Sequence, residues 1–320
     1  MYITQAFKWK HEWWRYLIGV ILIFIVGWQF IGIMPIMVVS FLRAESLTEF
    51  MDSGLTNFAS LYPAKSNLYL FLILSTFLGG LIGLIITVKF IHQQSLRQLT
   101  TSRKKIDWGR IFFGFIIIAV ITIVFTLLDF KSNPESYELQ FEAIPFLIMA
   151  LISVVFIPLQ TSFEEYFFRG YLMQGIGILV RNKWTPLIIT SVIFGGLHIF
   201  NPEVDKMGNI IMIYYIGTGF FLGIITLMDD GLELALGFHA ATNLVGALLV
   251  TADWTVFQTN SILKDISEPG AGVDVLIPVV VLYPILIGIM AWRYKWKNWG
   301  EKLFGKVIPP PETVTIEENF

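Results

Sequence analysis

The sequence predicts an all-α membrane protein, a polytopic helical bundle with about eight transmembrane helices and both termini in the cytoplasm. Composition is the first observation behind this prediction. Of the 320 residues, 55% are hydrophobic and 15% are aromatic, but only 14% are charged, which is typical of multi-spanning membrane proteins and not of soluble domains. The second observation is pattern, because uncharged runs of bilayer length alternate with polar connections along the chain.

Residues 1–140 are predicted to form an N-terminal membrane region with three spans. The first span, about 16–39, follows an aromatic and basic segment of the kind found at membrane interfaces. This apolar run is too long for the core of a cleavable signal peptide, so we expect it to be retained. The next two spans, at about 68–91 and 111–128, are separated by a basic connection.

Residues 141–250 are predicted to form a core of four helices. Short turns separate these helices, and the first of them is unusually long. The four spans lie at about 143–180, 184–200, 209–228 and 233–250. Residues 251–308 hold a polar loop and a last span at about 273–292, and the proline-containing tail 309–320 is predicted to be disordered.

Lysine and arginine residues set the predicted orientation in the membrane. They crowd the N-terminus, the connections after the second and fourth spans, and the C-terminus, whereas the loops between these are neutral or acidic. Because basic connections stay in the cytoplasm, both termini are predicted to be cytoplasmic. The acidic turn after the sixth span is an exception, but acidic residues contribute little to this rule.

Two adjacent carboxylates and an arginine interrupt the fourth apolar span. Ionisable groups in such a segment cost several kcal/mol unless they are paired, so they mark functional sites by default. Glu165 and Arg169 stand at i and i+4, acid first, which favours an intrahelical ion pair. Glu164 lies about 100° away around the helix and has no such partner, which makes it the candidate reactive group. The alternative is a polar patch tolerated on a helix face inside the bundle.

Two histidines, His198 and His239, also lie within apolar stretches, and Asn243 shares a helix face with His239 at i+4. A hairpin of the fourth and fifth spans would place Glu164 roughly 25 Å and His198 roughly 21 Å from its turn, side by side. His239 reaches the same level if this hairpin protrudes about 10 Å into the cytoplasm. Either histidine alone could instead make an ordinary structural hydrogen bond.

These residue types allow two kinds of hydrolytic site. A glutamate beside a histidine can deprotonate water, while a second histidine and an asparagine amide donate hydrogen bonds to the developing oxyanion. Alternatively, Glu164, His198 and His239 could hold a divalent ion such as zinc. The absence of cysteine excludes thiolate ligands, disulfides and cysteine nucleophiles.

Three motifs together resemble those of the type II CAAX prenyl protease and bacteriocin-processing (CPBP, or Abi) family of intramembrane proteases. They are Glu-Glu-x-x-x-Arg from Glu164, Phe-x-x-x-His ending at His198, and His-x-x-x-Asn from His239, and the resemblance covers about 140–250. It implies that Glu164 and His198 activate the attacking water and that His239 and Asn243 stabilise the oxyanion. It also implies a structural role for the ion pair of Glu165 and Arg169.

We favour a site without a metal or other cofactor. Histidine ligands of zinc are normally oriented by carboxylates or carbonyls behind them. Asn243 has suitable spacing for His239, but the residue four positions before His198 is Phe194, whose ring offers packing and no acceptor. A divalent metal held by Glu164, His198 and His239 is the alternative.

The predicted function is an intramembrane endopeptidase. Its partners would be the lipid bilayer and a membrane-anchored protein or peptide substrate, with CAAX-type prenylated proteins as one substrate class and no nucleic acid. We expect a multi-pass protein of the bacterial cytoplasmic membrane with its active site toward the cytoplasmic side. The alternatives are a non-hydrolytic membrane-binding, scaffolding or bacteriocin-immunity module, and a transporter with a proton relay. Such a transporter would be expected to carry internal repeats, which the sequence does not display.

Overall fold

The computed structural model describes residues 1–268 and 272–310 and consists mainly of apolar helices. In chain order these are α1 (Trp13–Arg43), α2 (Asn67–Ile91), α3 (Trp108–Ser132), α4 (Ala143–Val180), α5 (Trp184–Phe200), α6 (Pro202–Asp229), α7 (Glu233–Leu249) and α8 (Pro278–Tyr294). Within the described ranges, five of them are long and apolar enough to cross a membrane, and α5, α7 and α8 are shorter. The all-α class of the membrane bundle is confirmed, whereas eight membrane crossings remain a prediction.

The structure contains a small β-sheet, whereas the sequence predicted a purely helical bundle. Its strands are β1 (Tyr137–Leu139), β2 (Val250–Ala252) and β3 (Leu263–Asp265), in the order β1-β3-β2. β3 pairs antiparallel with β1 and parallel with β2. Strands of three residues are too short to show the alternation from which strands are predicted. The tail predicted to be disordered falls, from residue 311 onward, outside the described residues.

The loops after α1, α3, α5 and α7 meet at one end of the bundle. The sheet joins the loop after α3 to the loop after α7. Lys65 Nζ donates to Gln140 Oε1 at 2.9 Å, and the backbone N–H of Val256 donates to Glu203 Oε1 at 3.0 Å. These are the neutral and acidic loops that the charge pattern assigns to one side of the membrane.

The basic connections meet at the opposite end, together with the described parts of both termini. Arg103, in the connection after α2, forms an ion pair of 2.7 Å with Asp229 at the end of α6. Lys183, in the turn after α4, donates to the backbone carbonyl of Glu301 at 2.5 Å. Successive connections therefore lie at alternate ends of the bundle, as expected for helices that run in alternating directions. The cytoplasmic location of the basic end remains a prediction.

The last third of α4 packs on the connections at the basic end. After Glu165 the helix widens into π-type turns over Tyr166–Leu172. The hydroxyl of Tyr166 lies 2.8 Å from the hydroxyl of Thr100, and further along α4 the C-terminal turns contact the N-terminal segment Ile3–Lys8. This part of α4 therefore extends from the ionisable residues toward the basic end, and the protrusion of the hairpin into the cytoplasm stays a prediction.

Helix packing brings four helices around the ionisable residues. α4 packs on α2 and α7, α7 also packs on α3, and α5 packs on α6. Gly219 permits the close contact of α5 and α6, because a Cβ atom there would lie 2.7 Å from the backbone oxygen of Ser191. The side chains of α4, α5 and α7 and the backbone of α6 therefore meet in the interior.

Candidate active site

A fully buried ion pair joins Glu165 and Arg169 on α4. Arg169 Nη1 donates to Glu165 Oε1 at 2.9 Å, and both residues are 0% exposed. Arg169 Nη2 also donates to the backbone oxygen of Gly219 on α6 at 3.3 Å, and its guanidinium lies 4.1 Å from the ring centroid of Phe194 on α5. The predicted i,i+4 contact is present. It also ties three helices together.

His239 on α7 contacts the same carboxylate. Its Nδ1 lies 2.8 Å from Glu165 Oε1, and because a carboxylate oxygen accepts, Nδ1 carries the hydrogen and donates. His239 is buried in the interface between α4 and α7. Glu165 therefore orients the imidazole as well as balancing Arg169, a second contact that helix spacing did not predict.

Glu164 is the accessible carboxylate of the pair. Its side chain is 14% exposed, against 0% for Glu165. Glu164 Oε1 accepts from Gln160 Nε2 at 2.8 Å, and Glu164 Oε2 lies 3.5 Å from Nε2 of His239. One oxygen is thus fixed within α4, and the other faces the imidazole.

A hydrogen bond between Glu164 and His239 would need a proton on one of the two facing atoms or a donor between them. Nδ1 of His239 carries a hydrogen because it donates to Glu165. Without a second proton, Nε2 of His239 and Oε2 of Glu164 would each present a lone pair to the other. With one proton on either atom, the charges of Glu164, Glu165, Arg169 and His239 sum to zero. A neutral set is favourable because an uncompensated buried charge is costly. The arrangement suits the transfer of a proton at this point.

Asn243 lies one turn further along α7 on the same face as His239. Its Nδ2 donates to Gln160 Oε1 at 3.3 Å, and Gln160 in turn donates to Glu164. Within the described residues the second N–H of this amide makes no hydrogen bond, so it can serve another acceptor. Glu164, Gln160, Asn243 and His239 thus surround one small polar region between α4 and α7.

His198 stands apart from this group. The end of α5 tightens into a 3₁₀ turn over Leu197–Phe200, and Nδ1 of His198 donates to the carbonyl of Phe194 at 2.8 Å. Its ring stacks on Tyr215 of α6 with a centroid distance of 4.3 Å. Within the described chain no hydrogen bond or ion pair joins His198 to Glu164. The imidazole that contacts Glu164 is that of His239, the pairing of Glu164 with His198 stays a prediction, and the Phe194 ring contacts both histidines.

The alternative metal site can be tested on these donors. Among residues 1–268 and 272–310, no group of three His, Asp or Glu side chains is close enough to hold a metal ion. One argument from the sequence is wrong, because both histidines do have orienting acceptors: the carboxylate of Glu165 for His239 and the carbonyl of Phe194 for His198. The three candidate ligands do not fit a metal ion because His198 is separated from Glu164. A lack of acceptors behind the histidines is not the reason.

Two residues of the site were not singled out from the sequence. Gln160 stands four positions before Glu164, so its polar side chain and i,i+4 spacing were a usable signal. Tyr215 carries no such signal, because an aromatic residue in an apolar helix is ordinarily packing. Its stacking on His198 depends on how α5 and α6 cross.

Comparison with known proteins points to one family. A family described as type II CAAX prenyl endopeptidase Rce1-like matches residues 142–245, which include every candidate site residue. The uncharacterized protein YyaK of Bacillus subtilis (strain 168) is 31% identical over 220 residues, which is 68% of this chain and 73% of that protein. No solved structure matches.

Proposed function

Because the chain belongs to the Rce1-like family of type II CAAX prenyl endopeptidases, we propose that it is an intramembrane peptidase that hydrolyses a peptide bond with a glutamate-activated water. The observation that carries the proposal is the contact between Glu164 and His239, where a partly accessible carboxylate faces an imidazole at 3.5 Å. A buried ion pair behind them keeps both groups in place. Such a pair of groups can hold and deprotonate a water molecule.

In the proposed reaction Glu164 is the general base. A water between Glu164 Oε2 and the scissile carbonyl gives its proton to Oε2 as its oxygen bonds to the carbonyl carbon. The proton then passes from Glu164 to the amide nitrogen, the C–N bond breaks, and the carboxylate is regenerated. His198 makes no direct contact with Glu164 among the described residues, but its Nδ1 donates to Phe194 and leaves Nε2 as an acceptor, so its proposed role is to accept a hydrogen bond from the water on the α5 side.

His239 and Asn243 are the proposed oxyanion donors. With Nδ1 bound to Glu165, the imidazolium form of His239 carries a second N–H at Nε2, 3.5 Å from Glu164 Oε2, and in the proposal this N–H is shared with the oxyanion. Asn243 presents the N–H that Gln160 does not use. Donors fixed before the reaction stabilise the developing negative charge without reorganisation, which is the main source of rate enhancement in such sites.

We propose no step that requires a metal ion, because the donors Glu164, His198 and His239 do not converge among the residues described. The substrate class is a membrane-anchored protein or peptide, and CAAX-type prenylated sequences are the first candidates from the family name. The Bacillus relative supports the proposed location in a bacterial cytoplasmic membrane, and the basic end of the bundle supports a site nearer the cytoplasmic side.

A cleavage assay on the purified full-length protein tests the proposal. We would compare a prenylated peptide with the same peptide lacking the prenyl group, each with and without a chelator. The expected result is cleavage by the wild type, none by Glu164→Gln, and no effect of the chelator. No product from the wild type on either peptide would favour the non-hydrolytic binding or immunity role, and equal cleavage by wild type and Glu164→Gln would remove Glu164 as the base.

A further inference from the structure

Gln160 is a buried amide with both ends engaged by proposed reacting residues. It is 4% exposed on an otherwise apolar part of α4. Its Nε2 donates to Glu164 Oε1 at 2.8 Å, and its Oε1 accepts from Asn243 Nδ2 at 3.3 Å. A buried amide costs free energy unless it is hydrogen-bonded, and here the two partners lie on different helices.

The direction of these two hydrogen bonds follows from the chemistry of the groups. An ionised carboxylate only accepts, so the NH₂ group of Gln160 must face Glu164. Its carbonyl then faces α7, so the Asn243 amide must turn its NH₂ group inward to donate. One contact with Glu164 therefore fixes the orientation of two amides, which bond geometry alone would leave ambiguous.

Each orientation matters for the proposed reaction. With Oε1 held by Gln160, Oε2 is the oxygen of Glu164 left to face His239. With one N–H of Asn243 held by Gln160, the amide nitrogen keeps a second N–H that can donate to an oxyanion. A reversed Asn243 would present a carbonyl oxygen, which would repel an oxyanion.

We propose that Gln160 is a positioning residue that sets the orientation of both the base Glu164 and the oxyanion donor Asn243. This inference rests on the proposed peptidase function. Gln160 acts through these two residues and does not itself contact the reacting atoms. Its removal should therefore lower kcat and leave KM nearly unchanged, because the affected interactions strengthen only in the transition state.

Two variants separate its two contacts. Gln160→Met has a similar size and suits an apolar helix, but it removes both hydrogen bonds. Gln160→Glu keeps an acceptor for Asn243 and loses the donor to Glu164. Thr161→Val is the matched control, because Thr161 is equally buried on the next position of α4 and its hydroxyl donates to the carbonyl of Ile157 in its own helix.

The test is steady-state cleavage by the full-length protein, with a double-mutant cycle between Gln160→Met and Asn243→Ala. We expect kcat to fall by roughly 10- to 100-fold in Gln160→Met, by analogy with the loss of hydrogen-bond partners that orient metal ligands. Gln160→Glu should lose activity as well, and Thr161→Val should not. In an Asn243→Ala background the loss from Gln160→Met should be smaller, since part of its effect is already gone.

Three results would overturn the inference. The first is an unchanged kcat in Gln160→Met when the wild type is active and Glu164→Gln is inactive. This result would contradict the role of Gln160 and leave the proposed peptidase function intact. The second is an equal fold-loss from Gln160→Met with and without Asn243, or an equal loss in Thr161→Val. The third is a wild type no more active than Glu164→Gln, which would remove the reaction itself and the positioning role with it.

Discussion

The Glu165 carboxylate lies 2.8 Å from Nδ1 of His239, which stands 74 positions later in the chain. The same oxygen accepts from Arg169 at 2.9 Å, so one buried carboxylate serves both the local ion pair and a contact between two helices. Helix spacing predicted only the local pair. The contact with His239 gives Glu165 a place in the site as well as in the fold.

Replacing Glu164 with glutamine should abolish cleavage without unfolding the protein. Glutamine keeps the size of the side chain and can still bond to Gln160, but it cannot take a proton from water. We expect kcat to fall by at least about 100-fold, at the low end of general-base contributions, with an unchanged melting temperature. The check is a kinetic assay beside thermal unfolding in detergent, and near-normal turnover would remove Glu164 from the role of base.

Glu165→Gln and Arg169→Ala should destabilise the protein. Breaking a buried ion pair leaves an uncompensated charge and typically costs about 3–5 kcal/mol. We therefore expect reduced yield and melting temperature in both variants, whereas Glu164→Gln serves as the control of matching size and position. In the fraction of Glu165→Gln that folds, kcat should also fall, because His239 loses its carboxylate. Wild-type stability in both variants would contradict the pairing.

His239→Ala and Asn243→Ala should lower turnover more than substrate binding. Donors to an oxyanion act on the transition state, and loss of one such donor typically costs on the order of 100- to 1000-fold in rate. Single-turnover rates and a separate binding measurement on an inactive background would distinguish the two effects. A variant whose only defect is weaker binding would reassign these residues to substrate recognition.

Active protein should contain no stoichiometric metal. Glu164 and His239 are in contact, but His198 is held away by the carbonyl of Phe194 and by stacking on Tyr215. Elemental analysis of active, detergent-purified protein provides the measurement. About one zinc per chain, with activity lost on stripping and restored on refilling, would replace the proposed mechanism with a metal-assisted one.

His92 should make the stability depend on pH. It is buried between the carbonyl of Lys10, which accepts from Nδ1 at 2.7 Å, and the hydroxyl of Tyr171, 2.9 Å from Nε2. Burial lowers the pKa of His92 below its ordinary value of 6.5. Its neutral form is therefore favoured by folding, so this stability is present above about pH 6.5 and is lost as the pH falls toward the lower folded pKa.

The corresponding experiment compares melting temperatures of wild type and His92→Gln between about pH 5 and 8, the range in which histidine changes charge. The variant should be less stable at neutral pH and should show a shallower decline toward acid. His11→Gln is the control, because His11 is an exposed histidine next to Lys10, whose carbonyl accepts from His92. Parallel profiles for wild type and His92→Gln would exclude this contribution.

The sequence by itself determined the class of the fold and the local parts of the site. Composition and apolar run length predicted a membrane bundle, and every predicted span corresponds to a helix. The Glu165–Arg169 pair and the shared face of His239 and Asn243 follow from helix periodicity alone. Charge placement also sorted the loops correctly between two ends. The local pairs depend on residues that are close in the chain, and the fold class depends on averages over many residues. Neither kind of feature requires knowledge of how the helices pack.

Only the tertiary structure decided which imidazole lies beside Glu164. The rise per residue gave the levels of Glu164, His198 and His239 along the bundle, but contact also depends on the rotation of each helix about its own axis. The π-type turns after Glu165 and the 3₁₀ turn over Leu197–Phe200 change that rotation locally. A shift of one residue turns a side chain by about 100°. The structure therefore placed His239 beside Glu164 and His198 against Tyr215, although their levels alone had favoured His198.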